Sequence, residues 1–131
     1  MKENIGNPTF LLRFALAVIL GMHSIPTILE GSVNDFGNLY LNNVGFAPFG
    51  LYIAWAVKLT HLASVPLLLL NKYLKPVALA NIFILVMGII MVHFREGWFV
   101  VGGGRNGVEF NFLLIFALLT LMFPKGLIKN S

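Results

Sequence analysis

The chain has 131 residues, 58% of them apolar and only 11% charged, with a formal net charge of +4. So apolar a chain of this length leaves almost nothing for a water-soluble domain, and a single domain spanning residues 1–131, built by packing helices in lipid, is expected. The absence of cysteine excludes structural disulfides, thiolate metal ligands and a thiol relay carried by this chain.

Four apolar segments follow one another, roughly Pro8 to Leu29, Phe49 to Leu70, Pro76 to Phe94 and Val108 to Phe123. Each is near the ~20 residues that a ~30 Å hydrocarbon core requires of a helix. The first follows Lys2, as a signal peptide's apolar region would. Arg13 interrupts it, however, and Ile25 to Gly31 lacks a small-x-small cleavage pattern, so it is read as a retained helix. Between the first two segments, Glu30 to Pro48 is rich in Gly, Asn, Ser and Asp, interrupted by Phe36, Leu39, Tyr40, Leu41 and Phe46. That composition reads as a loop folding back over the bundle. Between the last two, Arg95 to Gly107 has a Trp-Phe-Val-Val run before Gly102, Gly103 and Gly104, as in a segment that lies in the interface and then turns sharply.

The basic residues sit at span ends: Lys2 and Arg13, Lys72 and Lys75, then Lys125 and Lys129. Cytoplasmic loops concentrate Lys and Arg, so the bias points to loops rather than to nucleic acid, and it predicts an all-α, four-transmembrane-helix bundle with both termini cytoplasmic. The expected location is the cell inner (plasma) membrane, crossed several times. Tyr52, Trp55, Trp98 and Phe99 fall where an outer aromatic belt is expected.

Ionisable residues inside such spans mark sites, because intramembrane charge is costly. At ~1.5 Å per residue, His23, Lys58, His61, His93 and Glu109 all fall in the outer half of the expected bundle, where four helices could point them into one polar pocket. Lys58 and His61 are three apart and share a helix face, which must meet protein or water. A carboxylate is expected beside them, Glu109 first, with Glu30 and Glu96 as looser candidates. Each residue also has a plainer reading: His23 and His93 as interhelical hydrogen-bonding imidazoles, Lys58 and Arg13 snorkelling to the interfaces, and Glu109 in a capping arrangement with Asn106. Pro26 and Pro66 free the carbonyls of Met22 and Leu62, beside His23 and His61, and such kinks can open a pocket.

Three histidines on three helices invite a metal, but no His-x-x-x-His or Glu-x-x-His pair supports one, and no metal site is assigned. The Gly102 to Arg105 turn lacks the flanking pattern of a P-loop and reads as a tight turn, with Arg105 and Glu96 as loop contacts. Nothing encodes a flavin or haem site.

Leu12-Arg13 with Gly21-Met22-His23, then His93-Phe94-Arg95-Glu96-Gly97-Trp98-Phe99, the Gly102 to Gly104 run and Glu109-Phe110 together resemble the DoxX family over nearly the whole chain. The resemblance implies a four-helix bacterial membrane protein, related in name to the small subunit of a thiosulfate:quinone oxidoreductase and to membrane oxidoreductase complexes. The chain departs from the family pattern at Ser24 and Thr27, where Gly and Lys are common, and at Lys58, where Glu is common.

Two function classes follow. In one, the chain is a quinone-linked oxidoreductase subunit whose His and Lys donors meet the quinone carbonyls, with a carboxylate relaying protons and a partner subunit or small molecule supplying electrons. In the other it is non-catalytic: it binds or moves a small anionic or lipidic ligand, or serves as an assembly partner or homo-oligomer in the lipid bilayer.

Overall fold

The computed structural model describes residues 2–128, with side chains from residue 4 onward; Lys129 and the Lys2 side chain lie outside the described residues. Among the described residues all regular structure is helical: α1 (Lys2–Ile5), α2 (Phe10–Glu30), α3 (Ser32–Asp35), a π-helical segment (Phe36–Phe46), α4 (Gly50–Leu69), α5 (Leu74–Met91), a 3₁₀ turn (His93–Glu96) and α6 (Glu109–Met122).

Helices α2, α4 and α5 are long and apolar enough to cross a membrane, with 21, 20 and 18 residues. They are apolar on all sides, and side chains that a water-soluble protein would bury face outward, among them Met22 and Phe83, both 67% exposed. A helix hydrophobic all round belongs in a core or in lipid, and these mark a membrane protein. Helix α6 is apolar but has only 14 residues, about 21 Å of rise. It stops at Met122, two residues before Pro124, which lacks an N–H to continue the ladder.

The chain divides into two compact units, one from Arg13 to Lys72 and the other made of the residues before Arg13 with those from Tyr73 onward. In the first, α2 and α4 run antiparallel: Arg13 lies by Leu68 and Lys58 by His23. The connection between them is not the irregular loop its composition predicts. It is helical from Ser32 to Phe46, apart from Gly45 at φ 119°, and lies against the start of α4. The polar residues that read as turn formers serve tertiary contacts instead: Trp55 Nε1 donates to Asn34 Oδ1 at 2.9 Å, and the Gly50 N–H donates to Asn42 Oδ1 at 2.8 Å. Gly37 is buried so close to α4 that a Cβ there would come within 2.6 Å of Leu51 Cα.

Helix α4 ends in a Schellman-type turn, the Lys72 N–H reaching Leu67 O and the Asn71 N–H reaching Leu68 O, with Asn71 left-handed at φ 58°. In the second unit α5 packs on α6. There Asn111 Nδ2 donates to Leu85 O at 3.1 Å, and Gly88 leaves the room for it.

Candidate functional site

Three of the five expected pocket residues, His23, Lys58 and His61, belong to the Arg13–Lys72 unit; His93 and Glu109 belong to the other. Within the first unit, the Lys58 ammonium donates to the backbone carbonyl of His23 at 2.7 Å. The acceptor is therefore a main-chain oxygen, not the carboxylate expected for Lys58. Around it Pro26 lies inside α2 without an N–H to give to Met22 O, and the hydroxyls of Ser24 and Thr27 donate to carbonyls of the same stretch, Ser24 to Leu20 O at 2.8 Å and Thr27 to Ser24 O at 2.9 Å. Side-chain donors, the Lys58 ammonium among them, thus meet carbonyls of the turns around the proline, as polar side chains do beside a proline in a membrane helix. Lys58 is half-buried there rather than extended to the interface. An ammonium has three donors, and among the described residues one of them is spent.

His61 lies one turn beyond Lys58, on the stripe of α4 that buries Ala54, Ser64 and Leu68. Its side chain is 8% exposed, and neither ring nitrogen has a hydrogen-bond partner among the described residues. Leaving a buried donor unsatisfied costs about 1–3 kcal/mol, so this imidazole carries an unmet hydrogen bond among the described residues. The register that sets Arg13 by Leu68 and Lys58 by His23 brings Leu20 level with His61. The His23 imidazole is exposed.

Helices α2 and α4 also line an open apolar groove of about 320 Å³, between Gly21, Ile25 and Pro26 on one side and Val65 and Leu69 on the other. Pro26 itself lines it. At the far end Arg13, taken from sequence as a snorkelling residue, is wholly buried: its Nη1 donates to Leu68 O at 2.8 Å and to Leu69 O at 3.4 Å. The antiparallel register sets it against the last turn of α4, where carbonyls without intrahelical partners are a nearer target than lipid phosphate. With the N–H of Leu70 on Pro66 O and the Schellman pair on Leu67 and Leu68, all four terminal carbonyls of α4 are satisfied.

In the other unit, His93 does not extend the third span: α5 stops at Met91, and His93 starts the 3₁₀ turn. Its Nδ1 lies 2.7 Å from Asn106 O. Glu109 is the first residue of α6, but Asn106 does not cap that helix; the residue before α6 is Val108, without a side-chain cap. Asn106 is instead left-handed at φ 57°, which turns it out of capping position. The Glu109 carboxylate turns back into the glycine loop, Oε1 accepting the N–H of Val100 at 2.7 Å and of Val101 at 3.4 Å. The N–H groups of Val108 and Glu109 pair with the carbonyls of Gly97 and Trp98, both at 3.0 Å. Gly107 packs against the Trp98 backbone where any side chain would clash. The anion held by the loop amides is thus the chain's own carboxylate. Glu96 and Arg105 are exposed. Among the described residues no group of three or more His, Cys, Asp or Glu side chains could hold a metal.

Arg13, Asn111 and the Asn34 and Asn42 contacts were not foreseen as structural ties. Only the cost of an arginine or asparagine in an apolar segment signalled that each needs a partner. Compared with protein-family models, with curated proteins and with solved structures, the chain finds no match in any of the three.

Proposed function

We propose that the chain is a DoxX-like membrane protein with four spans and both ends in the cytoplasm of a bacterial cell, acting as the quinone-binding subunit of a membrane oxidoreductase. Lys58 and His61 are the head-group donors in this reading. Its main support is His61: a buried imidazole in a spanning helix, both nitrogens unpartnered among the described residues, one turn from an ammonium with donors to spare. Quinone carbonyls are acceptors that arrive through lipid, so a donor pair at this depth is complementary to them. Reduction to the quinol takes two electrons and two protons. The protons can pass through the donors, whereas the electrons come from a partner chain or small molecule, since the sequence has no cysteine and no cofactor motif. The apolar groove between α2 and α4 supports a second reading, non-catalytic binding of a lipidic ligand.

Extraction of the purified protein with mass spectrometry of its lipids separates the two. Wild type should retain isoprenoid quinone, and Lys58→Met and His61→Leu, which roughly conserve volume, should lose it while remaining folded. A wild-type sample holding a different lipid and no quinone would retire the oxidoreductase reading.

A further inference from the structure

We propose that the connection between α5 and α6 is a membrane-surface anchor: Phe94, Trp98, Phe99 and Val101 enter the boundary between headgroups and acyl chains, and Arg95 and Arg105 bind the phosphates of anionic phospholipids. The inference rests on the membrane character of the helices and is independent of the quinone reading. All four apolar side chains are exposed, and so are both arginines.

Helix register sets the depth of this connection. Helices α5 and α6 run antiparallel, since His93 meets Asn106 at their common end and Asn111 bonds to Leu85 further along. Leu85 is six residues before the end of α5, and Asn111 is two after the start of α6. Helix α6 therefore starts about 6 Å short of the level at which α5, long enough to cross a membrane, ends. Trp98 belongs to that lower level: its carbonyl accepts the Glu109 N–H, and its ring packs edge-on against Phe112. The aromatic run thus reaches back beside the last turn of α5, within the ~5–10 Å over which interfacial segments bury their apolar face.

The backbone is provisioned for such a depth. Where water is scarce, polar main-chain groups must be met within the protein. The carbonyls of Gly97 and Trp98 accept from Val108 and Glu109, and the Glu109 carboxylate meets the amides of Val100 and Val101. Charge then chooses the lipid. Among the described residues neither Arg95 nor Arg105 has a hydrogen-bond or ion-pair partner, and Glu109 is spent on the loop amides. A guanidinium beside buried rings is placed to fork a phosphate.

The sequence has no cysteine, so Val101→Cys puts a single thiol on this connection for a nitrobenzoxadiazole dye. The full-length protein is placed in nanodiscs of phosphatidylcholine and phosphatidylglycerol. Nitroxide lipids should quench the dye best when the nitroxide is near the top of the acyl chain, and dithionite in the water should bleach it far more slowly than free dye. Phe99→Cys reads the same position if Val101→Cys does not fold. Three results would overturn the anchor: rapid bleaching without lipid quenching, which puts the segment in water; shielding from both, which means that protein covers it; and strongest quenching from the chain end, too deep for phosphate.

The same dye reads the choice of lipid. At equal content, nitroxide phosphatidylglycerol should act as though enriched at least about fivefold over nitroxide phosphatidylcholine, the effect of one basic residue at an anionic surface. Arg95→Gln combined with Arg105→Gln should abolish that preference and leave the depth unchanged. Lys75, at the opposite end of α5, is too distant to contribute. Equal quenching by the two lipids, or a preference that survives in the double variant, would overturn the arginine contact.

Discussion

Glu109 ties the glycine loop to the start of α6: one carboxylate oxygen accepts the N–H of Val100 at 2.7 Å and of Val101 at 3.4 Å. The turn of Gly102 to Gly104 thus closes around an internal anion, with His93 holding the other flank through Asn106 O.

Removing that carboxylate should free the loop without melting the helices. In Glu109→Ala, hydrogen exchange at Val100 and Val101 should accelerate about tenfold or more, the equivalent of a charge-assisted bond of roughly 1.5–3 kcal/mol. Glu109→Gln, which keeps an acceptor, should fall between. Unchanged exchange at both amides in Glu109→Ala would show that the carboxylate does not hold the loop.

Arg13 should matter to stability far more than a snorkelling residue does. Arg13→Leu takes the donor from the carbonyls of Leu68 and Leu69 and should destabilise the protein by about 1–3 kcal/mol. Arg13→Lys should cost less, since an ammonium can still reach one carbonyl but lacks the guanidinium fork. Thermal unfolding in mild detergent reads both. A leucine variant as stable as wild type would sink the capping role.

The approach of Gly37 to the backbone of Leu51 and Gly50 makes Gly37→Ala a sharp probe of how the helical connection seats on α4. Neither neighbour is a flexible side chain, so the methyl should cost about 1–3 kcal/mol through displaced backbone. Asn38→Ala, at the exposed neighbouring position, is the control and should melt as wild type does.

Topology is testable without a structure. If four segments cross the membrane, reporters fused after Ser131 and inserted at Asn38 should report opposite sides, the C-terminal one cytoplasmic. A C-terminal reporter active outside would overturn the orientation, and reporters on the same side would exclude the fourth crossing.

The long helices were legible because about twenty predominantly apolar residues leave few alternatives: α2 and α4 begin and end within two residues of the expected limits. The third helix was overrun because Val92 to Phe94 is apolar enough to extend a hydropathy run but not helical enough to continue a ladder that stops at Met91. The connection of Ser32 to Phe46 misled for a different reason. Asn and Gly disfavour helix locally, yet here Asn34 and Asn42 bind α4 and Gly37 lets it approach, and tertiary packing outweighs propensity. Of the candidate site, the pairing of Lys58 and His61 on one helix face followed from spacing alone. The partners of Lys58 and Glu109 did not, because main-chain atoms carry no residue signature, and the carbonyl of a facing helix or a nest of loop amides comes into place only once the backbone is folded.

The two cations of α2 and α4 have a mechanical meaning as a pair. Between helices in lipid there is little hydrophobic force to choose one sliding position over another. Arg13 bonds from α2 to the foot of α4, and Lys58 bonds back from α4 to the upper half of α2. A slip of one turn, about 5.4 Å, would break both fasteners at once and strand two positive charges in hydrocarbon, so the two helices can rock or bend about their contact but cannot ratchet past each other.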